Sequence, residues 1–291
     1  MIKLLALDLD GTTLNSKGQI PDANRAAIRA AEERGVLVTI ATGRRFRDAR
    51  PVGIELGLNA PLITHNGALI KYADSMETVA SSLLSNETSL DIVKTGKRFN
   101  GDALVSIDPR GDGTLLYDRV SDDNLPLKKY LRWSENLHGR AAGRAGVSHV
   151  PCLEDIIEGH EVVHISFSGS CSAMTDLEMS LRDELSGKVT ILATIYPHFD
   201  FTLLDILPPD ASKGHGVAKL AELNGIKPEN VMAMGDNFND LEMLEYAGTP
   251  VVMGNADAKL LELGDFYSTL TNDKNGVAAA IERFIFRSER S

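Results

Sequence analysis

Two aspartates stand two residues apart in Asp8-Leu9-Asp10-Gly11-Thr12, directly after the apolar run Ile2 to Leu7. If that run is a strand, alternation puts Asp8 and Asp10 on one face and turns Leu9 inward. Carboxylates held so close repel unless one is protonated or a cation lies between them, which suits a metal site or general acid/base work. Taken alone, Asp10-Gly11 is more often a plain turn. A second acidic cluster, Gly235-Asp236-Asn237-Phe238-Asn239-Asp240, follows the apolar run Val231 to Met234. Asp236 would bring a third carboxylate to the same sheet edge. Three aspartates without a Cys or His pair fit Mg²⁺ better than zinc. Asn239 and Asp240 sit one turn further on, able to hold a ligand or orient a lysine, although an acidic cap for the next helix explains part of the cluster.

Two further clusters suit an anion. Thr42-Gly43-Arg44 ends the run Val36 to Ala41, and Ser212-Lys213-Gly214 opens a helical pattern. A hydroxyl and backbone N–H groups at such turns can cradle phosphate oxygens, and a helix start adds a favourable dipole. Lys213 could neutralise charge as it develops. Singly, a Thr-Gly turn or one lysine is more often solvated surface.

The elements that must position these residues alternate between apolar runs and helical patterns, the signature of a parallel sheet. Strands are expected over Ile2 to Leu7, Val36 to Ala41 and Pro61 to His65, with helices from Pro21-Asp22 to Gly35 and from about Arg45 to Leu56. Asn66-Gly67 marks a turn. After about residue 82 the texture changes. Strands are expected at Ala103 to Ile107, Thr114 to Tyr117, Val162 to Phe167 and Val189 to Ile195, helices near 89–99 and 172–185, and a loop at Gly139 to Gly146. From Pro208-Pro209 the alternation returns, with a helix after Lys213, the strand Val231 to Met234, a helix after Asn239, the strand Pro250 to Met253 and a last helix from about Gly276 to Phe286. One α/β domain made from both ends of the chain, interrupted by an α+β module, accounts for this order. All four polar clusters then fall where ligands bind an open α/β sheet, at the carboxyl ends of its strands.

Composition bounds the rest. The chain has 291 residues, with 30 Lys+Arg against 41 Asp+Glu and a formal charge of −11, so nucleic acid is not an expected partner. A hydrophobic share of 43% excludes wholesale disorder. No window approaches the apolar length of a membrane span, and the short run before Asp8 does not read as a signal peptide. Cys152 and Cys171 are too few for a disulfide framework and are expected as small core fillers. A cytoplasmic protein, monomer or weak homodimer, is the expectation, and Asn86-Glu87-Thr88 is then an incidental sequon.

Together and in this order, the four clusters resemble those of the haloacid dehalogenase-like phosphatases, and more closely the Cof-type sugar-phosphatase branch with a large C2-type cap between the second and third motifs. Asn66-Gly67-Ala68 and Asn275-Gly276-Val277-Ala278 also look like that branch. The resemblance implies a Rossmann-like parallel-sheet core from residues 1–82 and 208–291, with residues 83–207 forming the inserted α+β cap. It implies that Asp8 attacks a small phosphomonoester, such as a sugar phosphate, to form an aspartyl-phosphate. Asp10 would protonate the leaving oxygen and then activate water, with Thr42 and Lys213 completing the catalytic set. Gly11, Thr42, Gly43, Arg44, Lys213 and Asn239 would bind the phosphoryl group, and Asp240 would steady Lys213. Mg²⁺ would lie on Asp8, Asp236 and the backbone carbonyl of Asp10. Such chemistry is coherent physically, because phosphoryl transfer depends mostly on positioning and on neutralising charge.

Other readings carry tests of their own. His160-Glu161-Val162-Val163-His164 spells the H-E-x-x-H of zinc proteases, which needs a helix. Ile165-Ser166-Phe167 continue it as a strand, where His160 and His164 would lie roughly 13 Å apart. A phosphotransferase or mutase of the same fold, or a non-catalytic phospho-ligand-binding relative, stays open.

Overall fold

The structure is a computed structural model that describes residues 1–138 and 146–287. The chain runs β1 (Leu4–Leu7), α1 (Asp22–Glu32), β2 (Leu37–Ile40), α2 (Phe46–Leu56), β3 (Leu62–Thr64), β4 (Leu69–Lys71) and β5 (Thr78–Ser81). It continues through α3 (Asn86–Arg98), β6 (Asp102–Ile107), β7 (Thr114–Tyr117), α4 (Leu125–His138), β8 (Val147–His149), α5 (Glu154–Ile157), β9 (Val162–Gly169), α6 (Cys171–Glu184), β10 (Thr190–Tyr196) and β11 (Phe201–Leu207). It closes with α7 (Lys213–Leu223), β12 (Val231–Gly235), α8 (Leu241–Tyr246), β13 (Thr249–Val252), α9 (Ala258–Leu261), β14 (Tyr267–Ser268) and α10 (Gly276–Ile281).

Two compact units result, one from Met1–Ala80 with Ser212–Ser291 and one from Ser81–Ala211. The first holds a parallel sheet in the order β14-β13-β12-β1-β2. Its central strand β1 reads Leu-Leu-Ala-Leu and is buried on both faces, as a continuous apolar run requires. Leu4 and Ala6 pack with Val217 and Leu220 of α7 and with Met243 and Leu244 of α8. β3 joins the edge through a parallel bridge from Ile63 to Ala41 and turns back through β4 into β5.

The second unit is a six-stranded sheet, β10-β11-β9-β6-β7-β8, antiparallel except for β7 beside β8. Val105, Ile165, Phe167, Leu204 and Ile206 on one face pack with Ile92 and Val93 of α3 and with Met174, Leu177 and Leu181 of α6. Leu104 and Leu115, on the other face, pack with Leu127 and Leu131 of α4.

Most expected elements lie within one to three residues of their expected ends. β4, β5, β8, β11, β14, α4, α5 and α9 are not expected from the sequence; β11 carries alternating buried residues but also Asp205 in its middle. The expected loop at Gly139 to Gly146 lies outside the described residues apart from Gly146. Cys152 and Cys171 are free and half-buried, which corrects their reading as core fillers. His164 lies in β9 while His160 precedes it in a turn, so the H-E-x-x-H spelling has no helix to act on. Among the described residues, no helix is long and apolar enough to cross a membrane.

Candidate active site

β1 and β12 pair in register, Leu7 opposite Met234, so their carboxyl ends deliver Asp8 and the Gly235–Asp240 turn to one edge. Asp8 N–H donates to Met234 O at 2.9 Å, which extends the pairing by one residue and fixes where the first carboxylate stands. The Asp8 carbonyl accepts from Thr13 N–H at 3.3 Å and from the Thr13 hydroxyl at 2.6 Å.

Lys213, at the start of α7, lies between two carboxylates: its Nζ donates to Asp8 Oδ1 at 2.7 Å and to Asp240 Oδ1 at 2.6 Å. Ser212 caps that helix by accepting from His215 N–H at 3.1 Å. Asp240 is fully buried, and its second oxygen accepts from Asp236 N–H at 2.9 Å and Asn237 N–H at 3.0 Å. Both of its oxygens are thus engaged within the protein. Asp240 thus bonds Lys213 through one oxygen and the backbone of the Asp236–Asn237 turn through the other.

Asp236 accepts from the Thr12 hydroxyl at 3.0 Å, and single carboxylate oxygens of Asp8, Asp236 and Asp240 all lie within 4.8 Å of one another. Burial pushes the Asp8 carboxyl well above the usual range against the pull of Lys213, and repulsion from Asp240 and Asp236 adds to it. Burial, then Asp240, pushes Asp236 up to about 6. Burial disfavours the ammonium of Lys213, but Asp240 and Asp8 outweigh it and hold Lys213 charged. Three carboxylates and one ammonium leave this pocket with surplus negative charge on oxygen donors. That surplus suits a hard divalent cation, and Asp8 and Asp236 are the carboxylates with an oxygen to offer it.

Gly11 is what lets Asp236 approach. Its φ is +84°, and a Cβ there would stand 2.2 Å from Asp236 Oδ2.

Asp10 is placed differently. Its carboxylate is outside the acidic set and is gripped bidentately by Arg44, Nε to Oδ2 at 2.8 Å and Nη2 to Oδ1 at 2.6 Å. As a metal ligand it could act only through its carbonyl, since its side chain is turned to the guanidinium.

Thr42 is buried, tied by its N–H to Ile63 O at 2.9 Å, and its hydroxyl accepts from Arg44 N–H at 3.2 Å. Gly43 lies against the amide of Asn66, whose Oδ1 accepts from Asn239 Nδ2 at 3.3 Å. Thus Asp8, Asp236, Asp240 and Lys213 are brought into direct contact or close approach. Arg44 joins Asp10, and Thr42, Gly43 and Asn239 gather around Asn66. The contacts of Thr12, Thr13 and Asn66 went unread. Thr13 reaches only back to Asp8, whereas the Thr12–Asp236 and Asn66–Asn239 contacts span more than 150 residues and leave no local signal.

Among the described residues, one other such group, Asp118 with Cys152 and Glu154, already contains its cation: Lys97 Nζ lies 2.6 Å from Asp118.

Comparison with known proteins gives a consistent family. The haloacid dehalogenase-like hydrolase family matches residues 5–281. The 5-amino-6-(5-phospho-D-ribitylamino)uracil phosphatase YcsE of Bacillus subtilis is 31% identical over 284 residues, covering 98% of this chain and 96% of that protein. An HMP-PP phosphatase of Cronobacter sakazakii is 31% identical over 264 residues, covering 90% of this chain and 87% of its own length. A solved haloacid dehalogenase-like hydrolase from Bacteroides thetaiotaomicron superposes with a TM-score of 0.81 at 27% identity, over 98% of this chain and 100% of that one.

Proposed function

Because this chain belongs to the haloacid dehalogenase-like hydrolase family, we propose that it hydrolyses small phosphomonoesters in a Mg²⁺-dependent reaction through an aspartyl-phosphate on Asp8. Phosphatase action on small phosphorylated substrates is what its named relatives do. The observation that carries the finer reading is Lys213 bridging Asp8 and Asp240 with Asp236 in reach.

Residues 1–82 and 208–291 are taken as the catalytic core, and residues 83–207 as a cap that selects the leaving group. The substrate class favoured is sugar phosphates and related phosphorylated metabolites. A cytoplasmic location goes with two lone, free cysteines.

Lys213 holds Asp8 in place as the nucleophile and remains charged, so it offsets negative charge on the phosphoryl oxygens. Substrate phosphate draws Arg44 off the Asp10 carboxylate, which takes up a proton from solvent; an Asp8 oxygen then forms a bond to phosphorus as the bond to the leaving oxygen breaks, and Asp10 gives that oxygen this proton. Asp10 then takes a proton from water, whose oxygen attacks phosphorus and releases Asp8 as carboxylate. Arg44 pairs with the Asp10 carboxylate in the unliganded site, and a substrate phosphate would be its alternative acceptor. The Thr42 hydroxyl, Gly11, Gly43 and Asn239 bound the space for the phosphoryl group. Mg²⁺, held by Asp8, Asp236 and the Asp10 carbonyl, would neutralise phosphoryl oxygen charge.

The test is phosphate release from an aryl phosphate by the purified protein. Release should require Mg²⁺, stop with a chelator and vanish in Asp8→Asn with the thermal transition retained. Undiminished turnover by Asp8→Asn refutes the nucleophile.

A further inference from the structure

The turn His65-Asn66-Gly67 has no task in the reaction above, yet it touches three of the four clusters that do. His65 N–H donates to Arg44 O at 2.9 Å and Asn66 N–H to Thr42 O at 3.1 Å, so its backbone closes the Thr42–Arg44 loop. The Asn66 amide lies against Gly43, where a Cβ would meet Oδ1 at 3.0 Å and Nδ2 at 3.2 Å. The same Oδ1 accepts from Asn239 Nδ2 at 3.3 Å, across 173 residues of sequence. Gly67 presses on the residue before Lys213: a Cβ at Gly67 would stand 1.9 Å from Ser212 O.

The backbone here is unusual. His65, Asn66 and Gly67 have φ of 52°, 49° and 94°, three successive residues in the left-handed region. Asn enters that region more readily than most residues, but a run of this kind persists only where the surroundings over-determine it. The surroundings do so: Phe46 N–H donates to His65 Nε2 at 3.2 Å, and His65 and Asn66 are both buried.

We propose that Asn66 is a positioning residue for phosphoryl transfer, its amide setting the Asn239 side chain against the Thr42–Arg44 loop while its turn seats that loop on the Lys213 helix. This rests on the phosphatase reading above. The Asn66 carbonyl oxygen can accept Asn239 Nδ2 in one amide orientation only, because the flipped amide would oppose donor to donor. The Asn66 amide, itself lying against Gly43, thereby restrains the Asn239 side chain. A misplacement of about 1 Å in such a group can cost on the order of 100-fold in rate, so a residue that touches no substrate atom can still matter.

Asn66→Gly separates side chain from backbone, since glycine takes the left-handed conformation freely and only the amide is lost. With aryl phosphate and saturating Mg²⁺, kcat should fall about 10- to 100-fold with KM changed less and the thermal transition kept. The Asn66→Gly/Asn239→Ala double variant should lose no more than the worse single variant, because both remove one linkage. Asn66→Asp keeps the acceptor and tolerates the backbone, and should recover most of kcat at a raised KM. A kcat for Asn66→Gly within twofold of wild type, or losses that multiply in the double variant, overturns the assignment. Should Asn66→Gly fail to fold, Asn66→Asp decides: kcat as low as that of Asn239→Ala overturns the assignment and kcat near wild type supports it. A wild-type protein releasing no phosphate overturns the phosphatase reading and this assignment with it, whereas an active wild type matched by Asn66→Gly overturns this assignment alone.

Discussion

Asp240→Asn isolates what the buried lysine requires. The change conserves shape and removes one charge. Both Asp240 oxygens accept, Oδ1 from Lys213 and Oδ2 from the N–H groups of Asp236 and Asn237. An amide has only one oxygen, so either orientation sets an NH₂ against a donor. Removing one partner of a buried ion pair costs about 3–5 kcal/mol. Relief of the repulsion that Asp240 exerts on Asp8 and Asp236 offsets part of this, leaving about 2–4 kcal/mol. At about 2–4 °C per kcal/mol for a unit of this size, Tm should drop by roughly 5–15 °C in calorimetry with a chelator present. Released from its second anchor, Lys213 should also lose its aim at Asp8, and kcat on aryl phosphate should fall at least about 10-fold. A Tm within about 2 °C of wild type together with kcat within about twofold would refute the view that Asp240 fixes Lys213.

Three further outcomes follow from other parts of the molecule. Gly11→Ala puts a methyl group where Asp236 Oδ2 lies and strains a φ of +84°, so kcat should fall more than 10-fold and the Mg²⁺ concentration for half activity should rise, by roughly 1–3 kcal/mol of lost positioning; an unchanged Mg²⁺ titration would contradict this. Burial pushes the Asp205 carboxyl up to about 7, which favours its protonated form in the folded state; its contribution to stability is full below the unfolded value near 3.8 and is lost as pH rises toward 7. Asp205→Asn, neutral at every pH, should therefore stabilise the protein by about 1–3 kcal/mol at pH 8.5 and little at pH 4, and equal effects at both would dismiss burial as the cause. Gly96→Ala would drive a Cβ to 2.1 Å from the Phe167 ring in the inserted module, costing about 1–3 kcal/mol in urea unfolding, and a neutral result would mean the ring can move.

The strands that end in chemistry were legible because they are short apolar runs followed at once by polar turns, as at Leu7–Asp8 and Met234–Asp236. The pairing of β1 with β12, and so the meeting of Asp8 with Asp236, followed from the sheet rule and not from any local pattern. Arg44 gripping Asp10 was not legible, because a long, half-buried arginine side chain has many acceptors within its reach and sequence names none of them. β4 and β5 were missed since three- and four-residue strands carry too little periodicity, and β4 ends in a lysine, Lys71, that is fully buried. The helix α4 begins Leu125-Pro126, where proline suits a first turn yet reads as a breaker.

β1 lies between β2 and β12, and Leu4 pairs with both Leu37 and Val231. During synthesis, then, the strand bearing Asp8 gains one neighbour early and must wait for the other until the far end of the chain is made. At about 5–20 residues per second that wait is roughly 10–45 s, during which a strand of four buried apolar residues has one open edge. The intervening Ser81–Ala211 unit has its own core and is complete before that edge closes. A chain released before residue 231 should therefore contain one ordered unit flanked by an unfinished sheet.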